Sequence, residues 1–295
     1  MNTLEELSKS NRYNYLIYLS RMTTSLNHST KGKIPELVKD SKNILDVGCG
    51  SGVLLETIEE INKEAKLTGV DLNIDAINSI KGHDNWTLYH SDFMDLENVK
   101  FDAIIFSSIL HEISSYYNDS SKRFTEVPIL EAFNKSYELL SDNGIIVVRD
   151  GLLPSPEVIN NKYILSFKDT SDYKWLYKFQ NDFRGFDKLD VDTSIKEVGS
   201  NKFLVSSGFL KEFLCTYTWG EDSYPREINE RYGILTKEEW LSLIKQAKFQ
   251  LELVIEAKEE YEKYLSKKVD IVDENGKPYE YPNMTILLKA RKLSN

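Results

Sequence analysis

The sequence predicts an α/β fold built on a doubly wound parallel sheet. An apolar strand at 44–47 runs directly into glycines at positions 48, 50 and 52, and a helical pattern follows. Strand-like and helix-like segments then alternate as far as residue 150, which is typical of a parallel sheet with helices on both faces. Because such sheets bind ligands beyond the carboxyl ends of their strands, we expect the functional site at that edge.

The individual elements follow from hydrophobic periodicity, since apolar runs predict strands and spacings of three and four residues predict helices. The predicted strands are 44–47, 67–72, 86–90, 101–106, 145–149, 249–256 and 284–290, and the predicted helices are 52–62, 74–80, 126–140 and 236–248, with a turn at 141–144. The last helix has a strong start signal, because Thr236 can cap its end and Glu239 follows three residues later.

Breaks in this alternation divide the chain into four segments. Residues 1–40 are amphipathic and predict a helical lid, or a helix that simply packs on the core. Residues 41–150 form the ligand-binding half of the core. Residues 151–235 are too long and too aromatic for a connection, so we predict an inserted, partly helical substrate cap. Residues 236–295 supply a helix and the last two strands of the core. In the lid hypothesis three tyrosines line a substrate pocket: Tyr13, Tyr15 and Tyr18.

The composition argues against several classes of protein. The formal charge of −10, from 37 basic and 47 acidic residues, disfavours broad contact with a nucleic-acid backbone, so we expect no DNA partner. No apolar run approaches the roughly 20 residues that span a bilayer, and the first residues lack the pattern of a signal peptide. Cys49 and Cys215 are far apart and lack metal-ligand spacing. We therefore expect a cytoplasmic protein without a membrane partner.

Acidic side chains stand at the ends of the predicted strands. Asp46 precedes the first glycine, and the G-x-G-x-G spacing with an acid in front suits a ligand with an amino group better than a pyrophosphate, which disfavours an NAD-dependent oxidoreductase. Asp71 ends the second strand, where a carboxylate can accept hydrogen bonds from both hydroxyls of a ribose. Asp92 ends the third strand and could accept from an adenine amine, with Phe93 against the ring. Any one of these acids could instead cap a helix or form a turn, but three in register with a glycine loop favour a nucleotide site.

Five segments carry a resemblance to a known family: ILDVGCGSG at 44–52, GVDLN at 69–73, SDFMDL at 91–96, FDAIIFSSILHEI at 101–113 and LLSDNGIIVVRD at 139–150. They resemble the motifs of the class I S-adenosylmethionine-dependent methyltransferases. The family often has a Pro-Gly turn before its fifth strand, where this chain has Asp142-Asn143-Gly144. The resemblance implies a Rossmann-like sheet of seven strands, mostly parallel, with an antiparallel last strand.

The same resemblance implies S-adenosyl-L-methionine as cofactor and S-adenosyl-L-homocysteine as product. The glycine loop would lie along the methionine part, Asp71 would hold the ribose, and Asp92 with Phe93 would hold the adenine. Ser107 and Ser108 would lie near the sulfonium. The full set of expected cofactor-binding residues is Asp46, Gly48, Cys49, Gly50, Gly52, Asp71, Leu72, Asp92, Phe93, Ser107 and Ser108.

His111 is the candidate general base. Methyl transfer from a sulfonium is an in-line displacement in which the protein mainly positions the acceptor, and a hydroxyl or protonated amine also needs a base. His111 follows the fourth strand on the side where a substrate enters, and the ordinary pKa of histidine suits the task. Glu112 could orient His111 or act instead, and a purely structural histidine is the alternative. We predict no metal, because metal-dependent catechol-type enzymes need a carboxylate at the end of the fourth strand, whereas Asp102 stands at its beginning.

The sequence indicates the chemical class of the methyl acceptor but does not identify the acceptor. The fourth strand is followed by Ser107-Ser108-Ile109-Leu110, without the Asn/Asp-Pro-Pro-aromatic motif of enzymes that methylate amino groups of nucleobases. A small or medium-sized acceptor, methylated on oxygen or nitrogen, is the leading hypothesis. An RNA acceptor is the alternative, because Lys174, Lys178 and Arg184 are interleaved with aromatic residues. A non-catalytic cofactor-binding scaffold is a further alternative, and the oligomeric state is open.

Overall fold

The computed structural model describes residues 30–83, 85–187, 189–258, 264–279 and 283–293. Most of the predicted N-terminal lid, including its three tyrosines, therefore lies outside the described residues. The described end of that segment is a 3₁₀ turn, Thr30–Lys33, followed by a short helix in which Ile34 and Val38 are buried.

The strands, in chain order, are β1 Asn43–Val47, β2 Lys66–Asp71, β3 Thr87–His90, β4 Phe101–Ser107, β5 Leu140–Gly151, β6 Lys162–Phe167, β7 Lys196–Gly199, β8 Lys202–Ser206, β9 Phe249–Ala257, β10 Val269–Asp273 and β11 Thr285–Lys292. Seven of them form a central sheet in the order β3-β2-β1-β4-β5-β11-β9. The pairs among β1 to β5 are parallel, whereas β11 runs antiparallel to both β5 and β9. The predicted Rossmann-like sheet with an antiparallel last strand is confirmed.

The helices, in chain order, are α1 Ile34–Val38, α2 Val53–Ile61, α3 Ile74–Ser79, α4 Leu110–Ser115, α5 Val127–Leu139, α6 Tyr173–Asp182, α7 Ser207–Trp219, α8 Tyr224–Glu227 and α9 Lys237–Gln246. None of these described helices has the length and apolar character needed to cross a bilayer.

Both faces of the central sheet are buried, which explains the continuous apolar runs of its strands. Alternate residues face opposite sides: Leu45 and Phe106 belong to the core cluster that includes α5 and α9, and Ile44 and Ile105 belong to the cluster that includes α1 and α2. Because β1, β2, β4 and β5 are parallel, their carboxyl ends meet at one edge. The residues that follow these strands are therefore brought together.

The inserted cap differs from the prediction in composition and in boundary. It contains α6, α7 and a four-stranded antiparallel sheet in the order β10-β6-β8-β7, so it is more than a partly helical insert at 151–235. Its strand β10 comes from the segment 236–295, which the sequence assigned to the core. β10 is only five residues long and its partner is distant in sequence, since Val269 pairs with Phe167. No local pattern marks such a pairing.

Two local expectations have definite outcomes. The capping box at the start of α9 is confirmed, because the Glu239 amide donates to the Thr236 side chain and the Thr236 amide donates to the Glu239 carboxylate. The residues of the predicted turn, 141–144, lie at the beginning of β5 in the structure, where the register with β4 shifts. Asn143 nevertheless has a φ of 61°, the left-handed conformation that turns commonly need.

Candidate active site

The glycine loop after β1 folds back onto the end of β2. The amides of Gly48 and Cys49 both donate to the Val70 carbonyl, at 2.8 and 3.2 Å. Gly48, Gly50 and Gly52 all have positive φ, at 69°, 54° and 81°. Side chains other than hydrogen are strained in that conformation, so the spacing of the glycines follows from the path of the backbone.

Asp71, at the end of β2, holds the glycine loop in place. Its Oδ2 accepts a hydrogen bond from the Gly50 amide at 2.9 Å, and its Oδ1 accepts from the Asn73 amide at 2.8 Å. Burial raises the pKa of Asp71, and the two amides oppose that shift. A carboxylate has about four acceptor positions, so both oxygens retain capacity for a ligand. The contact of Asp71 with a ribose stays a prediction.

A pocket opens beside the glycine loop. It is lined by Lys31, Asp46, Gly48, Cys49, Gly50, Ser51, Val53, Leu54 and Ser107, of which five belong to the expected cofactor-binding set. The hydroxyl of Ser107 is buried and, within the described residues, has no hydrogen-bond partner. Because buried polar groups are normally satisfied, this hydroxyl indicates that the pocket is built for a polar ligand.

Two opposite charges meet in this pocket, Lys31 and Asp46, and their side chains are only 8% and 3% exposed. Burial raises the pKa of Asp46 to about 7, and the nearby Lys31 ammonium opposes that shift. Burial and then the positive charge of Arg149 lower the pKa of Lys31 to about 8, while Asp46 acts in the opposite direction. Each group is therefore shifted toward its neutral form by the loss of solvent.

Arg149, near the end of β5, connects the N-terminal segment to the residue that follows β4. Its Nε donates to the hydroxyl of Thr30 at 3.1 Å, and its Nη1 donates to the hydroxyl of Ser108. Since Lys31 follows Thr30 directly, these two hydrogen bonds fix the start of the described chain against the sheet, beside the pocket.

The other expected cofactor residues lie outside the pocket lining, and several have structural contacts of their own. The Asp92 carboxylate accepts from the Met94 amide at 2.8 Å and so begins a short 3₁₀ turn. Phe93 is buried and packs edge-on against Phe106, and Leu72 is half exposed. The roles of these residues toward a cofactor stay predictions, as do those of Gly52, Asp71 and Ser108.

His111, on α4 just beyond β4, is held by the carboxylate that ends β5. Its Nδ1 lies 2.7 Å from Asp150 Oδ1, while Asp150 Oδ2 accepts from the amides of Leu110 and His111 at 2.8 and 3.2 Å. Burial alone would lower the pKa of His111, but the Asp150 charge and hydrogen bond, together with Glu230, raise it well above its ordinary value. The same pairing lowers the pKa of Asp150, although burial acts in the opposite direction. The contact with Asp150 therefore fixes the orientation of the imidazole ring.

The second ring nitrogen of His111 faces Glu230. The distance from Nε2 to Glu230 Oε2 is 3.8 Å, which is too long for a hydrogen bond. Glu230 Oε1 accepts from the Tyr116 hydroxyl at 3.1 Å, but Oε2 is buried and has no hydrogen-bond partner among the described residues. Tyr232 stacks on the imidazole, with ring centroids 4.8 Å apart. Nε2 and Oε2 thus face one another within ion-pair distance, on the side of the imidazole away from Asp150.

Glu112 belongs to the same buried cluster but does not orient His111, contrary to one of its two expected roles. Asp150 takes that position instead. Burial and then the charge of Glu230 raise the pKa of Glu112 to about 8. One ligand atom from each of His111, Glu112 and Glu230 lies within 4.8 Å of the others, so a divalent ion could bind there. Metal binding requires ionised carboxylates, and the expected absence of a metal stays a prediction.

The segment 173–186 contains the basic and aromatic residues on which the RNA alternative depends. Its aromatic side chains pack mainly within the cap. Phe179 and Phe183 are buried in its core. Lys178 pairs with Asp182 at 2.5 Å, one turn along α6. This arrangement is typical of a packed insert with solvated lysines.

Three residues of the site were not predicted: Lys31, Asp150 and Glu230. Asp150 carries the same signal as the other acids, since it stands at the end of a strand, and could have been found. Glu230 lies in the loop between α8 and α9 and has no local signature. Lys31 comes from a segment whose packing no periodicity predicts.

Comparison with known sequences finds a family match over residues 38–192, to the model of a family described as "Methyltransferase domain". A curated protein, the ribosomal RNA small subunit methyltransferase C of Shewanella sediminis, is 32% identical over 106 residues, which cover 34% of this chain and 31% of that protein. The matched part is therefore less than a third of that relative.

Solved structures with a similar fold include the mitomycin 7-O-methyltransferase MmcR, with a TM-score of 0.55 at 9% identity, covering 99% of this chain and 61% of that one. Human N-acetylserotonin methyltransferase in complex with SAM has a TM-score of 0.53 at 10% identity, covering 100% and 61%. The O-methyltransferase NcsB1 from neocarzinostatin biosynthesis has 0.53 at 11% identity, covering 99% and 62%. The chain spans about three fifths of these proteins, and at such identities the likeness concerns the fold alone.

Proposed function

Because this chain belongs to the class I S-adenosylmethionine-dependent methyltransferase family, we propose that it transfers a methyl group from S-adenosyl-L-methionine to a hydroxyl of a small or medium-sized acceptor. The observation that carries the proposal is the arrangement of His111, whose Nδ1 is bound by Asp150 and whose Nε2 lies 3.8 Å from Glu230 Oε2. An amine acceptor is the alternative within the same chemistry.

The residues around the glycine loop fit the cofactor. Gly48 and Gly50 leave the backbone open to close approach, and Asp46 offers a buried carboxylate for an amino group. The unsatisfied hydroxyl of Ser107 offers a further hydrogen bond. When bound, the cofactor supplies a methyl group activated by its sulfonium, and the proposed contacts of Asp71 with the ribose and of Asp92 and Phe93 with the adenine complete the site.

His111 acts in this proposal as general base through Nε2. Because Nδ1–H donates to Asp150, the tautomer with an accepting Nε2 is favoured once the ring is neutral. A hydroxyl that reaches Nε2 can donate its proton to that nitrogen, and the resulting imidazolium lies between the carboxylates of Asp150 and Glu230, which stabilise it. A positioned base of this kind contributes about 10²–10⁴-fold to the rate.

The burial of the site supports a small acceptor over the surface of a folded RNA, since His111 and Glu230 are 4% and 0% exposed. The NcsB1 structure is a complex with S-adenosyl-L-homocysteine and 1,4-dihydroxy-2-naphthoic acid, a small hydroxylated aromatic. The relative that acts on ribosomal RNA matches only a third of this chain. RNA is therefore the alternative acceptor, and an experiment has to distinguish it from a small molecule.

Incubation of the protein with methyl-labelled S-adenosyl-L-methionine and fractionated cell extract tests the proposal. We expect the label in the small-molecule fraction, and we expect EDTA to leave the rate unchanged. His111→Ala is expected to lower turnover by about 10²–10⁴-fold while the affinity for S-adenosyl-L-homocysteine is retained, because the base acts on the acceptor. His83→Gln, which lies outside the site, is the matched control.

Each other result has a definite meaning. Label in RNA would favour the alternative acceptor. Tight binding of the cofactor without label in any fraction would favour a non-catalytic scaffold, and full turnover by His111→Ala would remove His111 as the base.

A further inference from the structure

Lys31 and Asp46 are the two charged side chains among the described residues that line the glycine-loop pocket. They carry opposite charges, and both are almost completely withdrawn from solvent. A buried ammonium or carboxylate is costly unless it is paired and hydrogen-bonded. A pocket that keeps one group of each sign in its wall is therefore complementary to a ligand that carries both signs itself.

The amino-acid end of S-adenosyl-L-methionine is such a ligand, because it carries an ammonium and a carboxylate on one carbon atom. We propose that Lys31 binds the carboxylate of the cofactor while Asp46 binds its ammonium group. This inference rests on the proposed function and deepens it. It gives Lys31 a role in positioning the cofactor, and Lys31 lies in the segment before β1, outside the motifs at the strand ends.

The surroundings explain why Lys31 takes this role rather than its neighbours. Arg149 already donates to the hydroxyls of Thr30 and Ser108, which fixes the turn that carries Lys31. Lys33 belongs to the same 3₁₀ turn, but its side chain is exposed. Lys31 is the basic residue of that turn whose side chain reaches the pocket wall.

Calorimetric titration with three ligands separates the two contacts. S-adenosyl-L-homocysteine carries both charged groups, its decarboxylated form S-adenosyl-3-thiopropylamine keeps only the ammonium, and 5′-methylthioadenosine has neither. We expect Lys31→Met to weaken the binding of S-adenosyl-L-homocysteine by about 10-fold to 100-fold, the effect of losing a hydrogen bond between charged groups. The affinities for the other two ligands should change by less than about 3-fold.

Asp46→Asn is the reciprocal variant. It should weaken S-adenosyl-L-homocysteine and the decarboxylated form alike and leave 5′-methylthioadenosine unchanged. Lys33→Met is the matched control and should bind all three ligands as the unmodified protein does. Lys31→Arg retains the positive charge, and it should restore the preference for the carboxylate even if Lys31→Met lowers the melting temperature.

Equal weakening of all three ligands by Lys31→Met would show that Lys31 only supports the fold, and it would overturn the inference. Unchanged binding of S-adenosyl-L-homocysteine would overturn it as well. If the unmodified protein binds none of the three ligands, the proposed cofactor itself is wrong, and that result is distinct from a failure of the Lys31 contact.

Discussion

At the scale of single residues, the candidate catalytic centre depends on how buried charges compensate one another. Asp150 holds one nitrogen of His111 at 2.7 Å and also accepts hydrogen bonds from three backbone amides, so the carboxylate is satisfied on both oxygens. Among the described residues, Glu230 accepts a hydrogen bond on one oxygen only. This asymmetry fixes the orientation of the imidazole. The oxygen that has no hydrogen bond among the described residues, Glu230 Oε2, lies on the side of Nε2.

Asp150→Asn should move the pH dependence of turnover to lower pH. The charge of Asp150 is the strongest of the influences that raise the pKa of His111, so its removal lowers that pKa and frees the base form at lower pH. We expect the rising limb of the profile to shift to lower pH, together with a lower maximal rate because an amide cannot accept at both positions. The initial rate measured across pH tests this.

The exposed Asp222→Asn is the control, and its profile should coincide with that of the unmodified protein. A rising limb that stays in place in Asp150→Asn would mean that His111 is not the group whose deprotonation limits turnover.

At the scale of elements, the glycine loop and the β4–α4 connection are fitted to one another. A Cβ on Gly48 would lie 2.7 Å from two side-chain carbons of Ile109, the residue just before α4. The loop that contacts the cofactor in our proposal therefore also fixes the start of the helix that carries His111. Pocket and candidate base are coupled through this contact.

Gly48→Ala should destabilise the protein more than Gly82→Ala does. Both glycines have positive φ, so both substitutions incur backbone strain of about 1 kcal/mol. Among the described residues other than its chain neighbours, no atom lies within 4 Å of a Cβ on Gly82. Gly48 adds the overlap with Ile109, so we expect about 2–3 kcal/mol for Gly48→Ala. Free energies of unfolding in urea give both values.

A second substitution, Ile109→Ala, isolates the overlap. In that background the two glycine variants should differ by less than about 1 kcal/mol, since only the strain common to both remains. An unchanged difference would place the cost of Gly48→Ala somewhere other than the contact with Ile109.

Elements with a local signal could be predicted from the sequence, and those defined by distant pairing could not. The capping box at Thr236 and the strand before Gly48 are local patterns of a few residues, and the structure has both. β10 has five residues and pairs with a strand a hundred positions earlier, and Glu230 meets His111 only because the loop before α9 folds over α4. Such contacts depend on the whole chain, so periodicity cannot reveal them.

At the scale of the whole molecule, buried charges join the cap to the core. α7, in the cap, is buried over most of its length, and its Lys211 donates to the carbonyl of Leu152 just beyond β5. Glu212 accepts from the amides of Tyr232 and Gly233, at 2.9 and 2.7 Å, in the loop that also carries Glu230. The cap therefore helps to position the loop that carries Glu230, a residue of the candidate catalytic centre.

Two buried acids of the candidate site, Glu112 and Asp46, should make the free energy of unfolding depend on pH. The pKa of Glu112 is raised from its ordinary 4.5 to about 8 by burial and by Glu230. Between these two values the folded state binds more protons than the unfolded state, so the free energy of unfolding falls as the pH rises. The stabilisation that protonated Glu112 contributes is complete below a pH of 4.5 and is lost once the pH reaches about 8. Asp46, with a pKa of about 7, acts in the same direction.

Glu112→Gln should flatten this dependence, because the amide mimics the protonated acid at every pH. We expect the slope of the free energy of unfolding between about pH 5 and about pH 8 to decrease by up to about 1.4 kcal/mol per pH unit. Urea unfolding at intervals of about one pH unit measures it, with the exposed Glu60→Gln as control. Parallel curves for Glu112→Gln and the unmodified protein would mean that Glu112 is already ionised in the folded state and that burial does not hold a proton on it.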